Sequence, residues 1–469
     1  MNEEKSLKMR TMPMGRLVAI MSVPAMFSMF IQALYNIVDT YYVGQIDVSN
    51  DYYITALGYA FPIQMIILAF SLGVGIGTNV IVAKKLGEKQ NDEASNVART
   101  GIAMAIIGSV VFFILSFIIV EPFMKFISKN PRIVEAGTSY LRIVVMFSSF
   151  SIIEIVLTKI LQGTGRMLVP MFAQLIGAIT NIILDPIFIF GKFGIPAMGV
   201  RGAAYATIVG QVFALVFVLI VIIFTKSEIN LGLRKFRFKM IYVSQIIQVG
   251  LPSMIMNLIG SVTNITLNKI IRSHDPTGIE EVANSVLVSY NKLQSFVFMP
   301  VFGLNQGGIP ILSYNFGANI KERFKKAQKI LYSSAIVLMT IGFIIFQLFP
   351  KELLGIFNPS ETLIDLGAPA LRIISFAFIP AGVAIITTVT FQALGKGFTA
   401  LLMSLSRQLI LLVPIAYIMG QIGGLQLVWF GFPIAEIIVA IIFTIISIRI
   451  IHNEFNKRDL RDKQMMVAN

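Results

Sequence analysis

Apolar runs of about 20 residues, each long enough to cross a hydrocarbon layer of roughly 30 Å, follow one another along this chain with short polar breaks between them. In lipid the backbone must satisfy its own polar groups, so runs of this length are read as helices. They fall at Leu17–Val43, Ile54–Ala83, Ala98–Val120, Ser139–Gln162, Met167–Phe190, Gly199–Thr225, Ile241–Asn268, Val282–Asn315, Ala327–Phe349, Ala370–Leu394, Phe398–Met419 and Gly424–His452. Hydrophobic residues make up 56% and charged residues 13% of the sequence, far from soluble usage, and no soluble domain fits between the runs. The first run is too long for the core of a secretion signal and many runs follow it, so no cleaved signal is expected.

A formal charge of +14 would suit a nucleic-acid binder if it were gathered on one surface. It is sorted by loop instead. Loops on one side of the spans carry 24 Lys and Arg, with clusters at Lys84–Lys85, Arg234–Lys239 and Lys321–Lys329, and the opposite loops carry seven. This asymmetry predicts a topology with both termini in the cytoplasm, and no nucleic-acid partner is expected. The chain has no cysteine, which excludes disulfides and thiolate chemistry, and its only histidines, His274 and His452, argue against an imidazole metal site. No cofactor is expected, and the lipid bilayer is the predicted surrounding of a monomer.

The second half restates the first. Val23-Pro24-Ala25-Met26 matches Leu251-Pro252-Ser253-Met254, and Asn36 falls on Asn264, at an offset of 228. Gly73, Gly77 and Gly87 match Gly303, Gly307 and Gly317 at 230, as do Leu141-Arg142-Ile143 with Leu371-Arg372-Ile373, and Gln162 through Arg166 with Gln392 through Lys396. Pro186 meets Pro414 at 228. Six spans per half is an even number, so the halves lie in the same orientation, an arrangement in which transporter halves enclose a cavity and rock. The expected fold is therefore an all-α membrane protein of about twelve transmembrane helices in two parallel six-helix lobes. Residues 1–230 form the first lobe and 231–469 the second, with the polar stretch Thr225–Met240 as linker.

A carboxylate inside a span is costly unless it meets a wet cavity or a partner, which singles out Asp39, Glu154, Asp185 and Glu436. Asp39 and Asp185 lie four and five residues from the same-side ends of their spans, about 6–9 Å deep at ~1.5 Å per residue, so they can share a layer. Tyr35 and Asn36 stand one turn before Asp39, Asn181 one turn before Asp185, and Thr207 reaches a similar depth. The repeat maps Asp39 to Leu267 and Asp185 to Val413, so this cluster belongs to one half only, as a coupling site would and a structural necessity of the fold would not. Two carboxylates in a partly dehydrated layer cannot cheaply hold both charges, which suits a proton; two carboxylates, an amide and a hydroxyl also make a hard oxygen cage for sodium at Asp39, Asp185 and Asn181. Glu154 has Lys159 nearby in sequence, and Glu436 has Arg407 or Lys292 as partners; for these two, an ion pair and substrate contact are both open readings.

Several stretches resemble the multidrug and toxic compound extrusion family. They are Leu34-Tyr35-Asn36-Ile37-Val38-Asp39-Thr40-Tyr41-Tyr42-Val43-Gly44, Gln162-Gly163-Thr164-Gly165-Arg166, Asn181-Ile182-Ile183-Leu184-Asp185-Pro186, Gly199-Val200-Arg201-Gly202-Ala203-Ala204 and Pro433-Ile434-Ala435-Glu436. The resemblance spans nearly the whole chain. It implies export of amphipathic, mainly cationic compounds, coupled to inward flow of protons or sodium ions. It also implies a cation site at Asp39, Asn181 and Asp185, as in the DinF-like branch, with Thr207 a looser match. Apart from the resemblance, Glu154, Glu436 and Gln162 are candidates for the substrate cavity or an ion pair. The branch with acids in spans seven and ten is not matched, since Ile241–Asn268 and Ala370–Leu394 contain none.

Two other functions compete. A flippase for lipid-linked precursors would carry a strongly charged cavity or extra spans. A membrane-embedded transferase would carry clustered acidic motifs at one face, where this chain has only dispersed acids such as Asp92-Glu93 and Glu280-Glu281.

Overall fold

The structure, a computed structural model, describes residues 9–46, 52–225, 228–232, 239–274, 280–357 and 360–468. The charged part of the linker at 233–238 thus lies outside the described residues. Among the described residues every regular element is helical. In chain order they are α1 (Met14–Gly44), α2 (Tyr52–Gly87), α3 (Asn91–Ile118), the short α4 (Val120–Ile127), α5 (Pro131–Met146), α6 (Ser149–Gly163), α7 (Leu168–Phe190) and α8 (Val200–Phe224). The second half gives α9 (Met240–Ser273), α10 (Glu280–Gly317), α11 (Lys321–Leu348), the short α12 (Pro350–Gly355), α13 (Glu361–Ser375), α14 (Phe378–Ala393), α15 (Gly397–Leu405), a π-helical turn at Ser406–Leu412, α16 (Val413–Val428) and α17 (Gly431–Ala468).

Ten of these stretches are long and apolar enough to cross a membrane, and two bent pairs raise the number to twelve. The fourth and tenth spans, read from sequence as continuous, are α5 with α6 and α13 with α14, bent by 46° and 47°. The bends sit at Phe147-Ser148 and Phe376-Ala377, at equivalent places in the repeat; Pro380, one turn past Phe376, removes a ladder bond at the second, and no proline or glycine stands that close after the first. In the first, Ser148 turns its hydroxyl back onto the Val145 carbonyl at 2.8 Å, a side-chain bond that competes with the helical ladder.

The chain forms two compact units, and their partition differs from a cut at the linker. Unit 1 comprises residues 27–254 of the described chain, and unit 2 comprises Met9–Met26 with Ile255–Asn469. The first part of α1 thus belongs to unit 2 and the first part of α9 to unit 1. The repeated Pro24-Ala25-Met26 and Pro252-Ser253-Met254 stand at the changeover.

The repeated glycines explain how these helix ends are seated. In unit 1 a Cβ on Gly77 would lie 2.3 Å from the Ile246 carbonyl oxygen, and one on Gly250 would lie 2.6 Å from that of Gly73. In unit 2 a Cβ on Gly303 would lie 2.6 Å from Met26 backbone, and one on Gly307 would lie 2.8 Å from Met21 backbone. Only glycine permits backbones this close, so Gly77, Gly303 and Gly307, with Gly73 facing Gly250, are packing positions.

The first residues of unit 2 are also tied by polar bonds, because the Arg323 guanidinium donates to the carbonyls of Met9 and Met12, both at 3.0 Å. Arg323→Ala removes two charge-assisted bonds of about 1.5–3 kcal/mol each at most. Faster hydrogen–deuterium exchange confined to residues 9–14 is the expected result; unchanged exchange there would mean that packing of Met9 and Met14 alone holds the segment.

In unit 1 the most extensive packing joins α7 and α8. Gly191 ends α7 in the left-handed region (φ +72°), and a Cβ there would fall 2.5 Å from the Ala197 nitrogen. The connecting loop then folds back, with Met198 and Gly199 amides donating to Phe188 and Ile189 carbonyls at 2.9 and 3.1 Å. Gly202 sits against this turn, where a Cβ would lie 2.5 Å from the Phe188 carbonyl. The hairpin fixes the register between the helices that carry Asp185 and Thr207.

Candidate functional site: a carboxylate-lined cavity in unit 1

A cavity of about 780 Å³ lies wholly within unit 1, in the size range of small-molecule sites. Its wall includes Tyr35, Asn36, Asp39, Glu154, Asn181 and Thr207, contributed by α1, α6, α7 and α8. No lysine, arginine or histidine contributes to that wall among the described residues. Its charge is therefore set by carboxylates, which favours a positive occupant.

Asp185 stands just behind the wall, fully buried, and its Oδ1 accepts from Asn181 Nδ2 at 3.3 Å. The same Asn181 Nδ2 also donates to Thr207 Oγ1 at 3.3 Å, joining α7 to α8. The Tyr35 phenol reaches Thr207 from α1, and Asp39 and Asp185 act electrostatically on each other and on Tyr35. The Asn36 carbonyl accepts from the Thr40 hydroxyl at 2.8 Å, one turn along α1.

What is left without a hydrogen-bond partner is all of one kind. Asp39 Oδ1, Asn181 Oδ1, Asp185 Oδ2 and, further along the wall, Gln211 Oε1 are buried and unpartnered among the described residues. Every one is an acceptor oxygen. Buried acceptors are expensive to leave bare, and a proton or an oxygen-seeking cation satisfies them directly.

The remaining candidates separate. Glu154 lies on the cavity wall, within electrostatic reach of Lys159 five residues on. Lys159 itself is buried, donates to Gln162 Oε1 at 3.1 Å, and runs its stem past Gly75. Gln162 is buried and does not contribute to the cavity wall. Glu436 lies in unit 2, where its Oε1 pairs with the Arg407 guanidinium at 3.5 Å, while Lys292 stands over the Phe357 ring at 5.6 Å.

A family model described as MatE matches this chain twice, over residues 24–187 and 252–418, with the two matches beginning at the repeated prolines. The chain belongs to the MatE family. It is 24% identical over 423 residues to the multidrug export protein MepA of Staphylococcus saprophyticus, covering 90% of each chain. To MepA of Staphylococcus aureus strain N315 it is 23% identical over 448 residues, covering 94% of this chain and 95% of that one. A solved structure titled as the outward-facing conformation of a multidrug resistance MATE family transporter of the MOP superfamily superposes with a TM-score of 0.89. Its identity is 24%, it covers 96% of this chain and 98% of that chain, and it shows a shared fold. This MatE chain is a multi-pass membrane transporter and not an enzyme.

The structure adds polar residues to the MatE cavity that reading the sequence missed. The Tyr140 hydroxyl, on α5, accepts from Gln64 Nε2 on α2 at 3.0 Å, and Tyr140 stands within electrostatic reach of Asp39, Asp185 and Tyr35. Gln174 and Gln211 also line the wall. A tyrosine or glutamine in an apolar run is ordinary, so only the turn-spaced company of an acid could have pointed to them.

Proposed function

We propose that this protein is a cation-coupled antiporter that exports amphipathic, mainly cationic compounds from the cytoplasm. The observation that carries the reading is the cavity in unit 1, whose charged wall residues are carboxylates and whose unpartnered buried atoms are oxygens. Asp39 and Asp185 form the coupling site, and Asn181, Tyr35, Asn36 and Thr207 orient them. The coupling ion is a proton or sodium. Either one changes the cost of burying the pair, which supplies the differential affinity for two conformations that coupling requires. The relatives named as multidrug export proteins support the direction and breadth of transport. The Lys and Arg asymmetry of the loops supports a topology with both termini in the cytoplasm, and the protein acts as a monomer.

The test is uptake of an ethidium-like dye into everted vesicles under separately imposed proton and sodium gradients. Accumulation driven by one of the two ions is expected. Vesicles that accumulate no more dye than empty ones under both gradients, with the protein correctly inserted, would remove the multidrug reading.

A further inference from the structure

We propose that unit 2 holds a counterpart of the coupling site whose cation is built into the fold: the Arg407 guanidinium sits against Glu436 where unit 1 offers oxygens to a mobile cation, so each chain exchanges cations at one site and not two. The inference rests on the coupling role of Asp39 and Asp185 proposed above.

The equivalence comes from backbone contacts. In unit 1 Gly202, near the start of α8, packs on the backbone of Phe188 and Ile189, two residues past Pro186. In unit 2 Gly431, at the start of α17, packs on Ala416 at 2.9–3.0 Å, two residues past Pro414. The same helix pair therefore meets at the same point in both units, at offsets of 228 for α7 against α16 and 229 for α8 against α17. Applied to Thr207, the second offset gives Glu436.

Each unit then bridges its fifth and sixth spans with a polar pair. Asn181 reaches Thr207 at 3.3 Å in unit 1, and Arg407 reaches Glu436 at 3.5 Å in unit 2. Asn181 stands five residues before its proline and Arg407 seven before its own, and the wide π-helical turn at Ser406–Leu412 takes up extra residues between them. The other acid positions of unit 1 are apolar in unit 2, with Leu267 for Asp39 and Val413 for Asp185. Buried Tyr290 stands within electrostatic reach of both members of the pair.

Charge bookkeeping separates the units. Unit 1 gathers Asp39 and, just behind the wall, Asp185, with Glu154 further along that wall and no basic side chain on it among the described residues, whereas in unit 2 one guanidinium meets one carboxylate. Among the described residues Glu436 Oε2 is buried without a partner, so the carboxylate keeps an acceptor that a second cation would use if the guanidinium were withdrawn. A carboxylate left alone in such a place must recruit a cation or take up a proton.

The test counts cations on purified full-length protein, by proton uptake between about pH 5 and 9 and by radioactive sodium binding. Arg407→Gln is expected to take up one more cation per chain than the wild type, and the double variant Arg407→Gln, Glu436→Gln to return to the wild-type count. Arg407→Lys, which keeps a tethered cation, and Glu436→Gln alone should match the wild-type count, and Glu436→Gln should retain gradient-driven dye transport. A folded Arg407→Gln with no added cation overturns the proposal. If that variant does not fold, a reduced count or lost transport in Glu436→Gln overturns it, and unchanged values there support it. An unchanged count in Asp39→Asn, Asp185→Asn would instead remove the coupling site of unit 1, so the two failures are distinguishable.

Discussion

Asp39→Asn and Asp185→Asn are each expected to abolish accumulation of dye against a gradient while leaving the protein folded and its substrate exchange at equal concentrations intact. The substitutions keep shape and remove charge. Asn at 185 can still offer a carbonyl oxygen to the Asn181 amide, now at 3.3 Å from Asp185 Oδ1, so the α7 scaffold is not disturbed. What disappears is the ability of the pair to change charge when an ion arrives. Coupling free energies of about 1–3 kcal/mol correspond to roughly 5–150-fold in affinity, and losing either acid should cost the upper part of that range because the two share their oxygens and their field. Exchange of substrate across vesicles without an ion gradient is the control, since it needs the conformational cycle and not the driving ion. Near-normal concentrative transport in both single variants would end the assignment and move it to Glu154, the other carboxylate on the cavity wall.

The parts of this fold that were legible in the sequence are those that carry a large free-energy cost. An acid in an apolar run is conspicuous because burying it is expensive, so Asp39, Asp185 and their turn-spaced partners Tyr35 and Asn181 could be named, and the structure brings them to one cavity and its immediate wall. Repeated glycines were equally visible, and Gly73, Gly77, Gly303 and Gly307 each prove to face another backbone. The bend at Phe147-Ser148 was hidden because no proline or glycine marks it, whereas the one at Phe376-Ala377 had a signal in Pro380, which has no amide to give the Phe376 carbonyl one turn earlier. The assignment of Met9–Met26 to unit 2 was hidden for a different reason: hydropathy reports that a helix is buried in something, and says nothing of which neighbours it touches. The π-helical turn at Ser406–Leu412 leaves no trace in a span that is apolar on most of its circumference.

The second large effect is expected at a glycine that touches no ion. Gly210 on α8 crosses Gly177 on α7, where a Cβ on Gly210 would fall 2.7 Å from the Gly177 carbonyl oxygen and 3.6 Å from the Asn181 Cβ. The obstructing atom belongs to the backbone and cannot rotate away, so Gly210→Leu must push the helices apart. Overpacking of this kind typically costs about 1–3 kcal/mol, and a rigid helix contact places it at or above the top of that range. Thr207 lies one turn before Gly210, so the displacement is carried directly to its 3.3 Å bond with Asn181, the polar link between α7 and α8. Gly210→Leu is therefore expected to lower the melting temperature by several degrees and to lose cation binding together with transport. Gly15→Ala is the control, because nothing lies within 4 Å of a Cβ there, and in a helix that change should be neutral or stabilising by up to about 1 kcal/mol. If Gly210→Leu melts like the wild type and still binds its cation, the close approach of α7 and α8 is not what assembles the site.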